Sequence, residues 1–458
     1  MITLSEFKKA YSKAIQEGYA AIFAGAGLSK ASGFVNWKEL LNDLAQEIQL
    51  DVEKEPDLVE VAQYYCNEKR SRNEINEKIL NRFVTESQES ESIRILADLP
   101  IRVFWTTNYD HLLEDTLKKY GKRIDIKMTI ESLATNLSGN DAVVYKMHGD
   151  YLDPSSCVIL KDDYEIYNDK RQLFTTTLQG DLVSKTFLFI GFIRILLDKN
   201  RRTHYLFLKK IQKNDYKKRS KNYYYDLNKQ ELQIHDLKRY GIETVLIDSY
   251  DQIPAILKEI KTASKCKNIF ISGAAHEYGK DWETTAPLFI KKLVSSLCQK
   301  DYRIITGHAR GIGSYVISSV IEECQSNIGK LEKHLMIKAF PYEDKNRPDY
   351  IQLKREYREG IYKYAGIAIF MFGNKESDAG TILADGVYED KIALESGAYI
   401  IPIGSTGYMA KKIWDEVSLH INDFPYLKEA EDILQNCTNP NKVIDAVLSV
   451  VNIIQTKY

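Results

Sequence analysis

The sequence predicts an α/β protein made of two doubly wound, Rossmann-like domains, and three observations predict it. Short apolar runs that end in glycine or a small polar cluster recur at residues 20–24, 101–106, 142–145 and 186–192, and again at 268–275, 303–307, 366–374 and 399–404. Segments of helical periodicity separate these runs, the pattern of a parallel sheet covered by helices on both faces. A short polar, lysine-rich stretch, Lys261 to Lys267, divides the two series, so one domain is expected over 1–262 and a second over 266–458.

The totals narrow the setting. A chain of 458 residues can form two or three domains, each with its own core, and 44% hydrophobic with 28% charged residues is the composition of a soluble globular protein. With 63 basic and 64 acidic residues the net charge is -1, so no global field favours nucleic acid or an anionic membrane, and neither is expected as a partner. The six cysteines, Cys66, Cys157, Cys266, Cys298, Cys324 and Cys437, lie far apart. That spacing suits neither a zinc ribbon nor a disulfide framework, so no metal is expected and a reducing cytoplasm is the expected location. Met1 to Glu17 is charged and amphipathic rather than a signal peptide, and no apolar run nears the roughly 18 residues of a membrane span.

Taken in order, Thr3 and Glu6 have capping-box spacing, and Leu4, Phe7, Tyr11, Ala14 and Ile15 recur on one helical face. The buried strand that follows runs into Gly25-Ala26-Gly27-Leu28-Ser29, a turn of small residues that can open a helix. Glycines there let backbone approach a ligand, and a helix N-terminus offers free N–H groups to an anion, which suits a dinucleotide pyrophosphate. From Trp37 to about Leu99 the pattern is helical and highly charged. Trp37, Leu40, Leu41, Leu44 and Ile48 mark one apolar face, and Val59, Val61, Ala62, Tyr64 and Tyr65 another, so a helical insertion is expected beside the nucleotide pocket.

Two further strand ends carry polar clusters. Thr107-Asn108-Tyr109-Asp110 follows the second strand, and Lys146-Met147-His148-Gly149-Asp150 follows the third. Open α/β sheets place their ligands at the carboxyl ends of strands. Asn108 offers donors and an acceptor, Asp110 accepts, and His148 is the side chain best suited to proton transfer near neutral pH. His204 to Leu208 and Thr244 to Asp248 read as the last strands of this sheet, Ile253 to Ile260 as its closing helix, and the basic, tyrosine-rich stretch from Lys209 to Tyr225 as a solvated loop.

In the second series, Gly273 ends one strand, and Gly307, Arg310, Gly311 and Gly313 follow another before the apolar helix pattern from Tyr315 to Ile321. Three glycines around an arginine make a phosphate-facing composition. No acid–base pair or nucleophile stands out in this half, so it reads as a sensor.

The three motifs Gly25 to Ser29, Thr106 to Asp110 and Lys146 to Asp150 together resemble the sirtuin fold, in its bacterial NAD-degrading branch, over roughly residues 1–260. The resemblance implies that NAD is the substrate, bound through phosphate and ribose at Gly25, Ala26, Gly27 and Ser29. It also implies that activity depends on Asn108 and His148, and that Asp110 contacts the nicotinamide side. Residues 266–458 resemble the SLOG nucleotide-sensing family, and the two in this order are similar to the effectors of the Thoeris anti-phage defence system. That implies a cyclic ADP-ribose isomer made by a TIR-domain partner as the bound signal, depletion of NAD as the output, and a homo-oligomer, tetramer or filament. The signal would be held by Arg358, with Arg355 as its competitor, by Lys375, and by Glu389, with Asp390 and Glu395 nearby. This chain departs from the family at residues 191–200, Gly-Phe-Ile-Arg-Ile-Leu-Leu-Asp-Lys-Asn, where the family's Gly-Phe-Ser pattern loses its serine.

Three functions fit these features. NAD+ hydrolysis is the first. An NAD-dependent protein deacylase would use the same pocket, but the cysteine spacing supplies no four-cysteine zinc module, and Val35-Asn36-Trp37 stands where deacylases carry Asp-Phe-Arg. A non-catalytic nucleotide-binding scaffold would explain two glycine-rich sheets and leave Asn108 and His148 without a task.

Overall fold

The computed structural model describes residues 2–30, 32–33, 37–52, 54–55, 57–83, 88–191, 204–209, 234, 237–239, 241–325, 327–340, 348–384 and 389–456. They form two compact units, Met1–Lys261 and Thr262–Tyr458. Most of the tyrosine-rich stretch and of residues 191–200 lies outside the described residues.

In the first unit, five parallel strands are β1 (Ala20–Ala24), β2 (Val103–Thr106), β3 (Ile124–Lys127), β4 (Ala142–Lys146) and β5 (Thr186–Ile190). Two more, β6 (His204–Lys209) and β7 (Ile242–Ile247), extend the sheet antiparallel, in the order β3-β4-β2-β1-β5-β6-β7. The expected strands are present, and β3 is an addition: four residues alternating apolar and charged carry little periodic signal.

Strand alternation sends side chains to two cores. Ile22, Phe104, Val144 and Leu188 face one, which is closed by α1 (Leu4–Gln16) and by the last helix of the unit. Ala21, Phe23, Trp105 and Phe187 face the other, with Phe174. The Thr3 and Glu6 capping box forms, and Phe7, Tyr11, Ala14 and Ile15 are buried.

After β1 come α2 (Ala26–Lys30) and the helical insertion, α3 (Trp37–Glu47), α4 (Leu58–Lys69), α5 (Asn73–Phe83) and α6 (Glu91–Asp98). Leu41, Leu44, Val61, Ala62 and Tyr65 are buried as their spacing predicts. Tyr64 is not; it is 45% exposed, one position off the buried face. Then follow α7 (Leu112–Lys119), α8 (Ile130–Leu133), α9 (Lys161–Glu165), α10 (Tyr167–Ser184) and α11 (Ile253–Lys265). The segment expected as a polar linker begins inside α11, because Ile253, Ile256, Leu257, Ile260 and Ala263 continue one buried helical face while Lys258, Lys261 and Lys265 recur beside it.

The second unit has a parallel five-stranded sheet, β10-β9-β8-β11-β14. Its strands are β8 (Asn268–Ser272), β9 (Arg303–Thr306), β10 (Leu335–Ile337), β11 (Ile367–Phe370) and β14 (Tyr399–Pro402), and a hairpin, β12 (Asn374–Ser377) with β13 (Gly380–Leu383), leaves the end of β11. Sequence patterning predicts four of the five; the three-residue β10 is too short for it, and the hairpin strands lack a continuous apolar run. Flanking helices are α12 (Ala286–Gln299), α13 (Gly313–Cys324), α14 (Ile328–His334), α15 (Tyr350–Tyr362), α16 (Glu389–Glu395), α17 (Tyr408–Leu419), α18 (Glu431–Asn436) and α19 (Pro440–Thr456). Among the described residues, no helix is long and apolar enough to cross a membrane.

Candidate functional site

The register of the first sheet aligns its strand ends. Ala24 pairs with Thr106 and with Ile190, and Thr106 pairs with Lys146. Asn108 and His148 therefore stand two residues beyond paired positions on adjacent strands, and Gly25 and Gly191 follow directly on the next two. The chain leaves β1 towards β2 on one side and reaches β5 on the other, so these glycines mark the switch point where doubly wound sheets bind ligands.

At that point the backbones nearly touch. Gly25 donates to the Ile190 carbonyl (2.8 Å), Gly27 to the Gly191 carbonyl (2.7 Å) and Leu28 to the Gly25 carbonyl (3.0 Å). The loop amides expected to face a phosphate are thus committed within the protein, and the glycines supply close approach instead. A Cβ on Gly191, whose φ is +82°, would lie 2.6 Å from both the Gly25 carbonyl oxygen and the Leu28 nitrogen. Gly191→Ala is expected to cost about 2–3 kcal/mol of stability, read as a lower thermal midpoint; an unchanged midpoint would contradict this packing.

The polar groups form one chain. Asn108 Nδ2 donates to Ser29 Oγ (2.8 Å) and to the Gly25 carbonyl (3.2 Å), and its backbone N–H to Thr106 Oγ1 (3.0 Å). Ser29, buried, hydrogen-bonds in turn to the Asp110 carboxylate. The remaining atom of the amide, Asn108 Oδ1, is buried with no hydrogen-bond partner. An unpaired acceptor of this kind is costly, and it suits a group that a water or a substrate hydroxyl completes.

Asp110 is turned into the protein, accepting from the Leu112 N–H (3.0 Å). Burial pushes its carboxyl up, against the opposing pull of Lys146 and the Ser29 hydroxyl. Ser29 and Asp110, expected as NAD contacts, both act here to hold Asn108.

His148 lies against Tyr164 (ring centroids 5.5 Å) and Tyr167 (6.2 Å), both edge-on. Tyr167 Oη and Arg171 Nη1 donate to the neighbouring Met147 carbonyl at 3.0 and 3.3 Å, which seats α10 beside this loop. Burial, with the Arg171 cation adding to it, lowers the His148 pKa to about 4. The imidazole is therefore neutral at physiological pH and able to accept a proton.

In the second unit, β9 and β10 lie to one side of β8, and β11 and β14 to the other. A cavity of about 330 Å³ opens at this switch point, lined by the ends of β8 and β11. Of the predicted signal residues, Gly273, Gly307, Arg358, Lys375 and Glu389 line it. Arg310, Gly311 and Gly313 are not among its lining residues. Arg310 pairs with Glu376 on the hairpin (2.7 Å), and Gly311 and Gly313 serve close packing, where a Cβ would lie 2.1 Å from the Ala275 carbonyl oxygen and 2.5 Å from His308 Cα.

Arg358 is enclosed, 3.9 Å through Nε from Glu389 Oε1, with its guanidinium 5.5 Å from the Phe340 ring centre. Both Arg358 Nε and Glu389 Oε1 are buried without a hydrogen-bond partner. Burial raises the Glu389 pKa, with Arg358 and the Ser272 hydroxyl opposing. Arg355, the competitor, makes an exposed pair with Glu359 (2.9 Å) on its own helix. Sequence spacing had no means of finding Tyr350, Lys354 and Phe340, which complete the wall from α15 and the segment before it.

Residues 102–244 match the SIR2-like domain, and residues 252–457 match the Sir2- and TIR-associating SLOG family. An NAD(+) hydrolase ThsA from Bacillus cereus (strain MSX-D12) is 42% identical over 429 residues, covering 90% of this chain and 89% of its own. Another NAD(+) hydrolase ThsA, from Acinetobacter baumannii (strain 532279), is 40% identical over 469 residues, 96% and 97% of the two chains. Defense-associated sirtuin 2 of Bacillus subtilis is 26% identical over 219 residues, 46% of this chain and 21% of its own. With a SIR2-like sheet carrying Asn108 and His148 on aligned strand ends, a SLOG match over the residues that follow in the chain and relatives matched over nearly their whole length, the chain belongs to the ThsA family of NAD(+) hydrolases.

Proposed function

We propose that the NAD+ glycohydrolase activity of this family member is carried by Asn108 and His148, that it gives nicotinamide and ADP-ribose, and that a cyclic ADP-ribose isomer in the second cavity switches it on in anti-phage defence. The observation that carries the reading is the unpaired Asn108 Oδ1, one strand away from a neutral histidine.

Breaking the bond between ribose C1′ and the nicotinamide nitrogen returns the bonding pair to nicotinamide and leaves oxocarbenium character on the sugar. Such a reaction needs orientation and a proton acceptor more than a strong nucleophile. Asn108 Oδ1 accepts from the attacking water or a ribose hydroxyl. His148 takes the proton as the water oxygen bonds to C1′. The turn of Gly25, Ala26 and Gly27 at the carboxyl end of β1 holds the pyrophosphate close to the strand ends.

The signal is made by a TIR-domain partner, and the active form is a homo-oligomer, a tetramer or a filament, in the cytoplasm. The SLOG match of residues 252–457 supports a nucleotide as signal, and Arg358 and Lys375 beside Glu389 supply charges for its phosphates and an acceptor for a ribose or base.

The test is nicotinamide release from NAD+ by the purified full chain, without peptide, with and without the cyclic products of a TIR-domain enzyme. Release that appears with those products supports the reading, and release only when an acylated peptide is supplied would replace it with a deacylase. With His148 as the base and its pKa near 4, kcat/KM should stay level from pH 7 down to about 5 and fall below it, since only the neutral ring accepts a proton. A midpoint near 6.5 would remove His148 from its low-pKa environment.

A further inference from the structure

Beneath the strand ends lies a buried charge cluster that this reading leaves unused. Lys146, the last residue of β4, is wholly buried, and so are Glu114 and Asp150 beside it. Its ammonium stands 2.9 Å from Glu114 Oε1 on α7 and 3.0 Å from Asp150 Oδ2. It also donates to the backbone carbonyls of Tyr109 (3.2 Å) and Asp110 (2.5 Å). His111 Nε2 approaches the same Asp150 oxygen at 2.6 Å.

Burying an ion pair seldom adds net stability over apolar packing of the same volume. What this ammonium does is join two loops through buried charge. Tyr109 and Asp110 directly follow Asn108, and the Asp110 carboxylate holds the Ser29 hydroxyl that receives Asn108 Nδ2. Lys146 itself precedes His148 by two residues, and Asp150 follows it by two. A second seam reinforces the first: Tyr151 donates to the Tyr109 carbonyl (3.1 Å), the Tyr109 hydroxyl to the Val158 carbonyl (2.8 Å), and Val158 to the His148 carbonyl (2.9 Å).

We propose that Lys146 is a positioning residue for NAD+ cleavage: gripping the Tyr109 and Asp110 carbonyls and the Asp150 carboxylate, it clamps the Asn108 loop to the His148 loop and sets their separation at the reacting carbon. The inference rests on the assignment of Asn108 and His148 to the reaction. Neither Lys146 nor its partners contact the nucleotide in this scheme. Their effect is on geometry, where a misplacement of about 1 Å costs on the order of 10²-fold in rate.

The test compares Lys146→Met, Lys146→Arg and the doubly neutral Lys146→Met/Glu114→Gln in the full chain, with nicotinamide release resolved into kcat and KM across pH and scaled to the folded fraction. The double variant removes cation and anion together, so no unpaired carboxylate is created on α7. Its kcat is expected to fall about 100-fold with KM within about threefold, and Lys146→Arg to recover part of the loss. The acid limb of its profile should also move to higher pH. Among the groups around it, Asp110, Asp150, Glu114 and His111, removal of the cation lets Asp110 keep its proton longer, and the ionised carboxylate is the better acceptor for Ser29.

Wild-type kcat in the double variant, or a rise in KM alone, would overturn the proposal. So would a failure of the double variant to fold, which makes Lys146 purely structural. Asn108→Ala in the same assay separates the two levels: activity retained there removes the underlying assignment, whereas activity lost there and kept in the double variant removes the clamp alone.

Discussion

Asn108→Ala is expected to lower nicotinamide release from NAD+ by about 10²–10³-fold while the protein stays folded. The magnitude is that of removing one preorganised polar group from a transition state that develops charge. The side chain can be removed without opening the core, because its own partners are a hydroxyl and a carbonyl at the strand ends, and Ser29 keeps its bond to Asp110. His148→Ala should fall in the same range as loss of a general base. The double variant should be little worse than the worse single, since two groups acting on one water fail together. Near wild-type release from either purified single variant would remove that residue from the reaction.

Arg358→Ala is expected to raise the half-maximal signal concentration by about 30–100-fold and to leave the fully activated rate within about twofold. Arg358 is enclosed beside Glu389 and Phe340, and a charge-assisted hydrogen bond lost from such a site costs about 2–3 kcal/mol. Because it acts on the cavity and not at the strand ends of the first sheet, saturating signal should restore the rate. A switch responds only to differential affinity for its two states. Arg358→Lys should give an intermediate shift, as it keeps charge and loses the planar fork. Arg355→Ala, breaking an exposed pair worth at most about 1 kcal/mol, should change little. Equal dose responses for Arg358→Ala and the parent would exclude Arg358 from the signal site.

Much of the fold was legible in the chain. The strands that form the centres of both sheets are continuous apolar runs, and their buried residues, from Phe23 and Trp105 to Ile269 and Ile369, are the ones their patterning selects. The helical insertion and the capping box at Thr3 and Glu6 are written in local spacing. Strands β3, β10, β12 and β13 were not legible, because β10 has only three residues and the others interrupt their apolar residues with polar ones or glycine, so that they owe their conformation to a neighbouring strand. The Lys261 to Lys267 stretch misled for the opposite reason: its composition is polar, yet much of it completes an amphipathic helix.

By itself the sequence determined the two doubly wound sheets and the strand ends that carry Asn108 and His148, since each depends on residue type and short-range spacing. Only the tertiary structure decided what those residues touch. It turned Ser29 and Asp110 inward to hold Asn108, committed the amides of Gly25 and Gly27 to β5 and the loop after it, and buried Lys146 between two carboxylates. It also put Arg358 in the cavity wall and paired Arg310 with Glu376 of the hairpin. These outcomes depend on register and burial between segments far apart in the chain, and hydrogen-bond partners and dielectric environment are properties of that packing.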